Sequence, residues 1–188
     1  MQYIKPFSAV CPKTAGADTT VFPSKGAAIP KTVSQSPADH AAVTAPPAYN
    51  QWAAAALHMR TRSYAPYSHY HVGAVLVASD GTLFTGCNVE NAAYPVGICA
   101  ERTAFAKAVS EGYHNFQTLV LAGAPSQSAG SDFCTPCGMC RQFIREFCPP
   151  NFPILLVKAD AAGTIQEYGI ATLEELLPHS FGPEQLHP

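Results

Sequence analysis

Cys99-Ala100-Glu101-Arg102, followed further along by Pro136-Cys137-Gly138-Met139-Cys140, brings three cysteines and one glutamate into two short segments. Three thiolates form an incomplete tetrahedral set for zinc. A structural zinc site closes with a fourth protein ligand, whereas a catalytic one leaves that position to water. Glu101, two residues after Cys99, is placed to carry protons for such a water. Cys137-x-x-Cys140 alone reads equally well as a redox pair or half of a structural zinc site. Cys134 and Cys148 are alternative fourth ligands. The run Cys134-x2-Cys137-x2-Cys140 with Cys148-Pro149 faintly resembles a ferredoxin cluster sequence. Its last gap is too long for that match, and residues 141–147 look helical. Cys11, Cys87, Cys134 and Cys148 are read as ordinary thiols, and the histidines show no ligand spacing.

The surrounding pattern alternates strands and helices. Trp52, Ala55, Ala56 and Met59 share one face of a helix reaching about residue 62. Residues 72–78 form a strand, Asp80-Gly81 a hairpin turn and residues 82–85 the returning strand. A polar loop over 88–97 leads into a helix over about 98–111, which Gly112 stops. Residues 119–122 are a short buried strand. After a Ser/Gly-rich loop, residues 137–147 are a helix with Pro136 before its first turn. Residues 154–157 and 164–168 are strands, and residues 173–177 a last short helix before Pro178. This order predicts a mixed sheet with helices packed against it.

Both cysteine segments therefore open a helix, whose N-terminal partial positive charge stabilises thiolates. Three thiolates outnumber the charge of one Zn²⁺ by one, so further compensation is useful. Arg102 lies three positions after Cys99, on the same helical face, and can donate to the sulfurs. A favourable zinc site lowers the pKa of water from about 15.7 to about 7, roughly 12 kcal/mol. Thiolate donors weaken that acidifying effect, which makes a nearby base such as Glu101 important.

Composition sets the remaining bounds. The 188 residues, 47% of them hydrophobic, support one domain with a tail. A net charge of −2 supplies no basic field for a phosphate backbone, so nucleic acid is not the expected partner. Seven cysteines, an odd number, do not read as a secreted disulfide framework. No apolar run approaches the roughly 20 residues of a membrane span, and the N-terminus lacks the order of a secretory signal. The expected location is the cytosol. Residues 1–48, rich in Ala, Pro, Ser and Thr, are read as a disordered extension, and residues 49–188 as the folded domain. The extension has Lys but no Arg, which gives little support to a mitochondrial transit peptide.

Three further segments join the two cysteine segments in a pattern: Ser63-Tyr-Ala-Pro-Tyr-Ser-His69, Gly86-Cys-Asn-Val-Glu-Asn-Ala92, Gly97-Ile-Cys-Ala-Glu-Arg102, Pro136-Cys-Gly-Met-Cys-Arg141 and Leu176-Leu-Pro-His-Ser-Phe-Gly-Pro-Glu184. Together they resemble the zinc-dependent cytidine deaminases of the small, homotetrameric kind, over nearly everything from about Trp52 to Gln185. The resemblance implies a three-layer α/β/α fold with a mixed, roughly five-stranded sheet. It also implies hydrolytic deamination of cytidine and 2′-deoxycytidine by a zinc-bound hydroxide, with one zinc per subunit, in pyrimidine salvage. It makes Cys99, Cys137 and Cys140 the metal ligands and Glu101 the proton shuttle. Asn88 and Glu90 would hold the ribose hydroxyls, main-chain groups near Ala100 would touch the base, and Tyr70 would present an aromatic face to it. Ala92, Tyr94 and Phe181 would extend toward a neighbouring subunit's site. One departure stands out: Tyr70-His71 replaces the Phe-Pro common in the family, so the Tyr70 hydroxyl needs a partner.

Three rival readings remain at this point. A related deaminase could act on a modified cytosine nucleoside of the blasticidin type. A non-catalytic zinc-stabilised protein would close its site with a fourth ligand and would not need Glu101. A nucleic-acid editor is disfavoured by the charge balance and by the Asn88/Glu90 pair.

Overall fold

The computed structural model of the protein describes residues 47–126 and 132–186. The extension expected over residues 1–48 thus lies outside the described residues, apart from Pro47 and Ala48. Among the described residues the order is α1 (Pro47–Arg60), β1 (Tyr70–Ala78), β2 (Leu83–Cys87), α2 (Ala100–Ser110), β3 (Phe116–Pro125), α3 (Gly138–Phe147), β4 (Pro153–Ala159), β5 (Ile165–Thr172) and the short α4 (Leu173–Leu176). One-turn 3₁₀ segments at Tyr94–Val96 and Pro183–Gln185 punctuate the loops.

The five strands form one sheet in the order β2-β1-β3-β4-β5. β3 and β4 are parallel, with Leu119 opposite Ile154 and Ala122 opposite Val157; the other neighbours are antiparallel. A parallel pair needs a crossover, and α3 is that crossover. The mixed sheet read from the sequence is present.

Alternation along β1 sends its side chains into two cores. Ala74, Leu76 and Ala78 join Phe84, Phe105, Leu119, Leu121, Ile144 and Ile154 beneath α2 and α3. Val75 and Val77 join Val120, Leu155 and Val157 beneath α1. The buried stripe of α1 is Tyr49, Ala53 and Ala56; of the face expected through Trp52, Ala55, Ala56 and Met59, Ala56 lies in that stripe and Trp52 and Ala55 pack at its edge. The large Trp52 flanks the contact, while alanines occupy its centre. Small residues are required there: a Cβ on Gly73 of β1 would stand 2.0 Å from the Ala56 carbonyl oxygen. On the opposite face a Cβ on Gly86 of β2 would stand 2.3 Å from the Ala100 oxygen. Both helices therefore lie directly against backbone, giving three layers.

Aromatic packing fixes α2 beside α3. Phe105 stacks on Phe147 with ring centroids 5.7 Å apart and meets Phe116 edge-on at 5.1 Å. Burial of such a ring contributes about 1.5–3 kcal/mol, and each aromatic pair about 0.5–1.5 more. The consequence for function is positional, because these two helices begin with the cysteines. No helix among the described residues is long and apolar enough to cross a membrane.

Candidate active site

Cys99 is the N-cap of α2 and Cys137 the N-cap of α3, both with extended backbone, and Cys140 lies in the first turn of α3. Neither cap side chain accepts a hydrogen bond from its own helix, which leaves both sulfurs free to face one another. The three Sγ atoms lie within 4.8 Å of each other, and Cys99 and Cys137 are 3.9 Å apart. Two sulfurs about 2.3 Å from a tetrahedral zinc would be about 3.8 Å apart, so the set fits that ion. Among the described residues no fourth His, Cys, Asp or Glu joins the group. Cys148 ends α3 at its far terminus, and Cys134 is not part of the set.

The thiols are already polarised. A hydrogen bond from Cys140, reinforced by Arg102 and Cys137, pulls Cys99 down to about 5 against the opposing effect of burial. Cys140, which supplies that proton, is pushed well above the ordinary thiol range. Nη2 of Arg102 lies 3.9 Å from Cys99 Sγ and 3.4 Å from the Gly97 carbonyl oxygen, as the three-residue spacing predicts. Its Nε is buried without a hydrogen-bond partner, and the adjacent sulfur charge offsets that cost.

Glu101 is 4% exposed in the first turn of α2, beside Ala100, which is fully buried. Burial pushes its carboxyl up to about 7, with the charge on Cys99 adding to the effect. A carboxyl poised near neutrality beside a metal-binding cluster can both accept and return a proton.

Asn88 and Glu90 sit on the loop after β2, which isolated bridges pin from Val89 to Tyr64 and Ile98. Asn88 Oδ1 accepts from Ser63 Oγ at 2.5 Å and the Val72 amide at 2.8 Å, while its Nδ2 donates to the Tyr70 carbonyl at 2.9 Å. One amide N–H remains. Glu90 accepts from the Tyr67 amide at 2.9 Å, the Ser68 amide at 3.2 Å and the Ser68 hydroxyl, leaving one lone pair. These bonds, the hydroxyl foremost, hold its carboxyl below the usual carboxylate range.

This arrangement has known counterparts. Residues 47–156 match the family profile described as the cytidine and deoxycytidylate deaminase zinc-binding region. A cytidine deaminase of Sporosarcina psychrophila is 46% identical over 127 residues, covering 68% of this chain and 86% of the relative. The chain belongs to the cytidine and deoxycytidylate deaminase family. The crystal structure of a Burkholderia pseudomallei cytidine deaminase superposes with a TM-score of 0.61 at 36% identity, over 71% of this chain and 98% of that one. A Bacillus cereus blasticidin-S deaminase is 30% identical over 112 residues, 58% of this chain and 75% of the relative.

The partner that the Tyr70 hydroxyl needs lies within the fold itself. The Tyr70 hydroxyl pairs with the Cys134 thiol; burial, together with this neighbour, raises Tyr70 to about 12. Cys134 in turn packs where a Cβ on Gly123 would stand 2.6 Å from its Sγ. Sequence reading left Cys134 without a role, since nothing in its spacing to Tyr70 signals contact. His71 Nε2 lies 2.9 Å from Ser126 Oγ.

The remaining expected site residues are at the surface. Ala92 is exposed, and Tyr94, 74% exposed, meets the Tyr67 ring with centroids 5.7 Å apart. Phe181 is 57% exposed.

Proposed function

We propose that this protein hydrolytically deaminates cytidine and 2′-deoxycytidine to uridine and 2′-deoxyuridine with release of ammonia. The observation that carries this reading is the buried Glu101 carboxyl beside a cluster of three thiols with no fourth ligand among the described residues. Cys99, Cys137 and Cys140 would hold one zinc ion per chain, whose chemistry would be to acidify the water that attacks cytosine C4. Glu101 would take one proton from the attacking water and pass it to ring N3, then take the proton of the new C4 hydroxyl and pass it to the departing 4-amino nitrogen. Water adds and ammonia leaves, so the reaction balances without a further reagent. Arg102 offsets the excess thiolate charge through its contact with Cys99.

The unused N–H of Asn88 and the unused lone pair of Glu90 form a donor–acceptor pair suited to the ribose hydroxyls. Main-chain groups at Ala100 meet the base edge, and the Tyr70 ring covers its face. Ala92, Tyr94 and Phe181 complete the site of a neighbouring copy in a homotetramer, consistent with their exposure. Residues 49–188 form the catalytic domain and residues 1–48 an extension from it. The role is pyrimidine salvage in the cytosol, on free nucleosides.

Charge makes the substrate class testable. Glu90 is a partly buried carboxylate, and a like-charged phosphate close to it is disfavoured. Initial rates should give kcat/KM for cytidine at least about tenfold above that for cytidine monophosphate. Equal values, or faster turnover of a blasticidin-type nucleoside than of cytidine, would overturn the assignment.

A further inference from the structure

Arg145 is the one arginine classed as buried among the described residues, and it does not face the thiols. Its Nε donates to Ser180 Oγ at 3.1 Å, and its Nη2 pairs with Glu184 Oε1. The arginine side chain is 9% exposed and its glutamate partner 56%, so the charge lies under the C-terminal segment and the counter-charge closes over it. A Cβ on Gly182 would stand 2.4 Å from Arg145 Cζ, which means that the guanidinium lies flat against the backbone there. One turn back along α3, Gln142 Nε2 donates to the Phe181 carbonyl at 2.9 Å. Arg141 Nη1 donates to the Leu176 carbonyl at 2.7 Å. The segment closes on itself through the Gly182 amide and Gln185 Oε1 at 2.6 Å.

Three side chains of the helix that carries Cys140 thus hold the segment at Leu176, Ser180, Phe181 and Glu184. The bonds to Phe181 take its carbonyl and leave its ring outside. A buried arginine with its partners arranged in this way is costly unless the whole set is made. The segment is therefore held in one position.

We propose that Arg145 is a positioning residue for nucleoside binding: its guanidinium clamps residues 180–184 onto α3 and thereby presents the Phe181 ring to the site of a neighbouring copy. This rests on the deaminase reading above. It adds a device that neither touches the substrate nor binds the metal. Arg145 acts on the segment that bears Phe181 and not on the thiols, so its loss raises KM and leaves the proton steps at Glu101 in place.

The test uses the intact protein and two independent readouts. Arg145→Met removes the clamp, Arg145→Lys keeps the charge without the fork, and Glu184→Ala removes the partner at the surface, where folding is least at risk. Hydrogen exchange of the Gly182, Gln185 and Leu186 amides should accelerate in Arg145→Met and Glu184→Ala while α3 stays protected. KM for cytidine should rise about tenfold in both, with kcat within about twofold, and Arg145→Lys should recover only part of the loss. Combined with Phe181→Ala, neither substitution should add to the effect of Phe181→Ala alone. Unchanged exchange in the segment, or KM effects that multiply with Phe181→Ala, overturns the proposal. A wild-type protein that turns over no cytidine overturns the functional reading instead, and the exchange result still decides whether Arg145 clamps the segment.

Discussion

Glu90 and Glu101 show how one side-chain type acquires two behaviours. Burial drives Glu101 up to about 7, whereas hydrogen bonds from Ser68 and the Tyr67 amide hold Glu90 below its ordinary value near 4.5. A depressed carboxyl contributes stability that is present above about pH 4.5 and is lost as pH falls through its lower native value. Thermal melting should therefore show wild type more stable than Glu90→Gln above about pH 5, with the gap closing as pH falls further. A gap that stays constant over that range would contradict this account. The closeness of Glu101 to Cys99 was legible in the sequence, because only one residue separates them at a helix start; its burial was not. Nor was the environment of Glu90: its partners Tyr67 and Ser68 are 23 and 22 residues away and reach it only through the folded loop. The Tyr70–Cys134 contact was hidden for the same reason.

Helix starts and buried strands were the most readable elements. Pro136 before Cys137 and the apolar run from Val72 to Ala78 each announce one structure. Strand ends were less so. Tyr70 and His71 look like loop residues, yet they pair with Pro125 and Ala124 and extend β1. β5 reaches Thr172 with a mostly half-buried pattern that gives no clean alternation. Gly86 carries a constraint that sequence alone does not reveal, since a Cβ there would stand 2.3 Å from the Ala100 oxygen and 2.7 Å from the Ala104 nitrogen. Neither backbone atom can yield without moving α2. Gly86→Val should cost at least about 3 kcal/mol in urea unfolding, and should weaken zinc binding because Ala100 adjoins Cys99. An unchanged midpoint would show that α2 does not rest on β2 as described.

At the scale of the whole molecule, strand order and chain count are the features least visible in the sequence. The mixed order β2-β1-β3-β4-β5 follows from which edges meet in space, although the alternation of strands and helices restricts the choice. Tyr94 and Phe181 in isolation look like core aromatics, yet both are at the surface, where large apolar side chains suit contact with another copy. The sheet brings the starts of α2 and α3 together, and that juxtaposition creates the site. The central claim is that this site deaminates cytidine through Glu101 on a three-cysteine zinc centre. The most direct test follows the ultraviolet absorbance of cytidine with purified wild type and Glu101→Gln, with zinc counted in each. Conversion to uridine by wild type, a loss of at least about 10³-fold in the variant and one zinc per chain in both are expected. Equal turnover by the two proteins, or none by zinc-loaded wild type, would contradict the account.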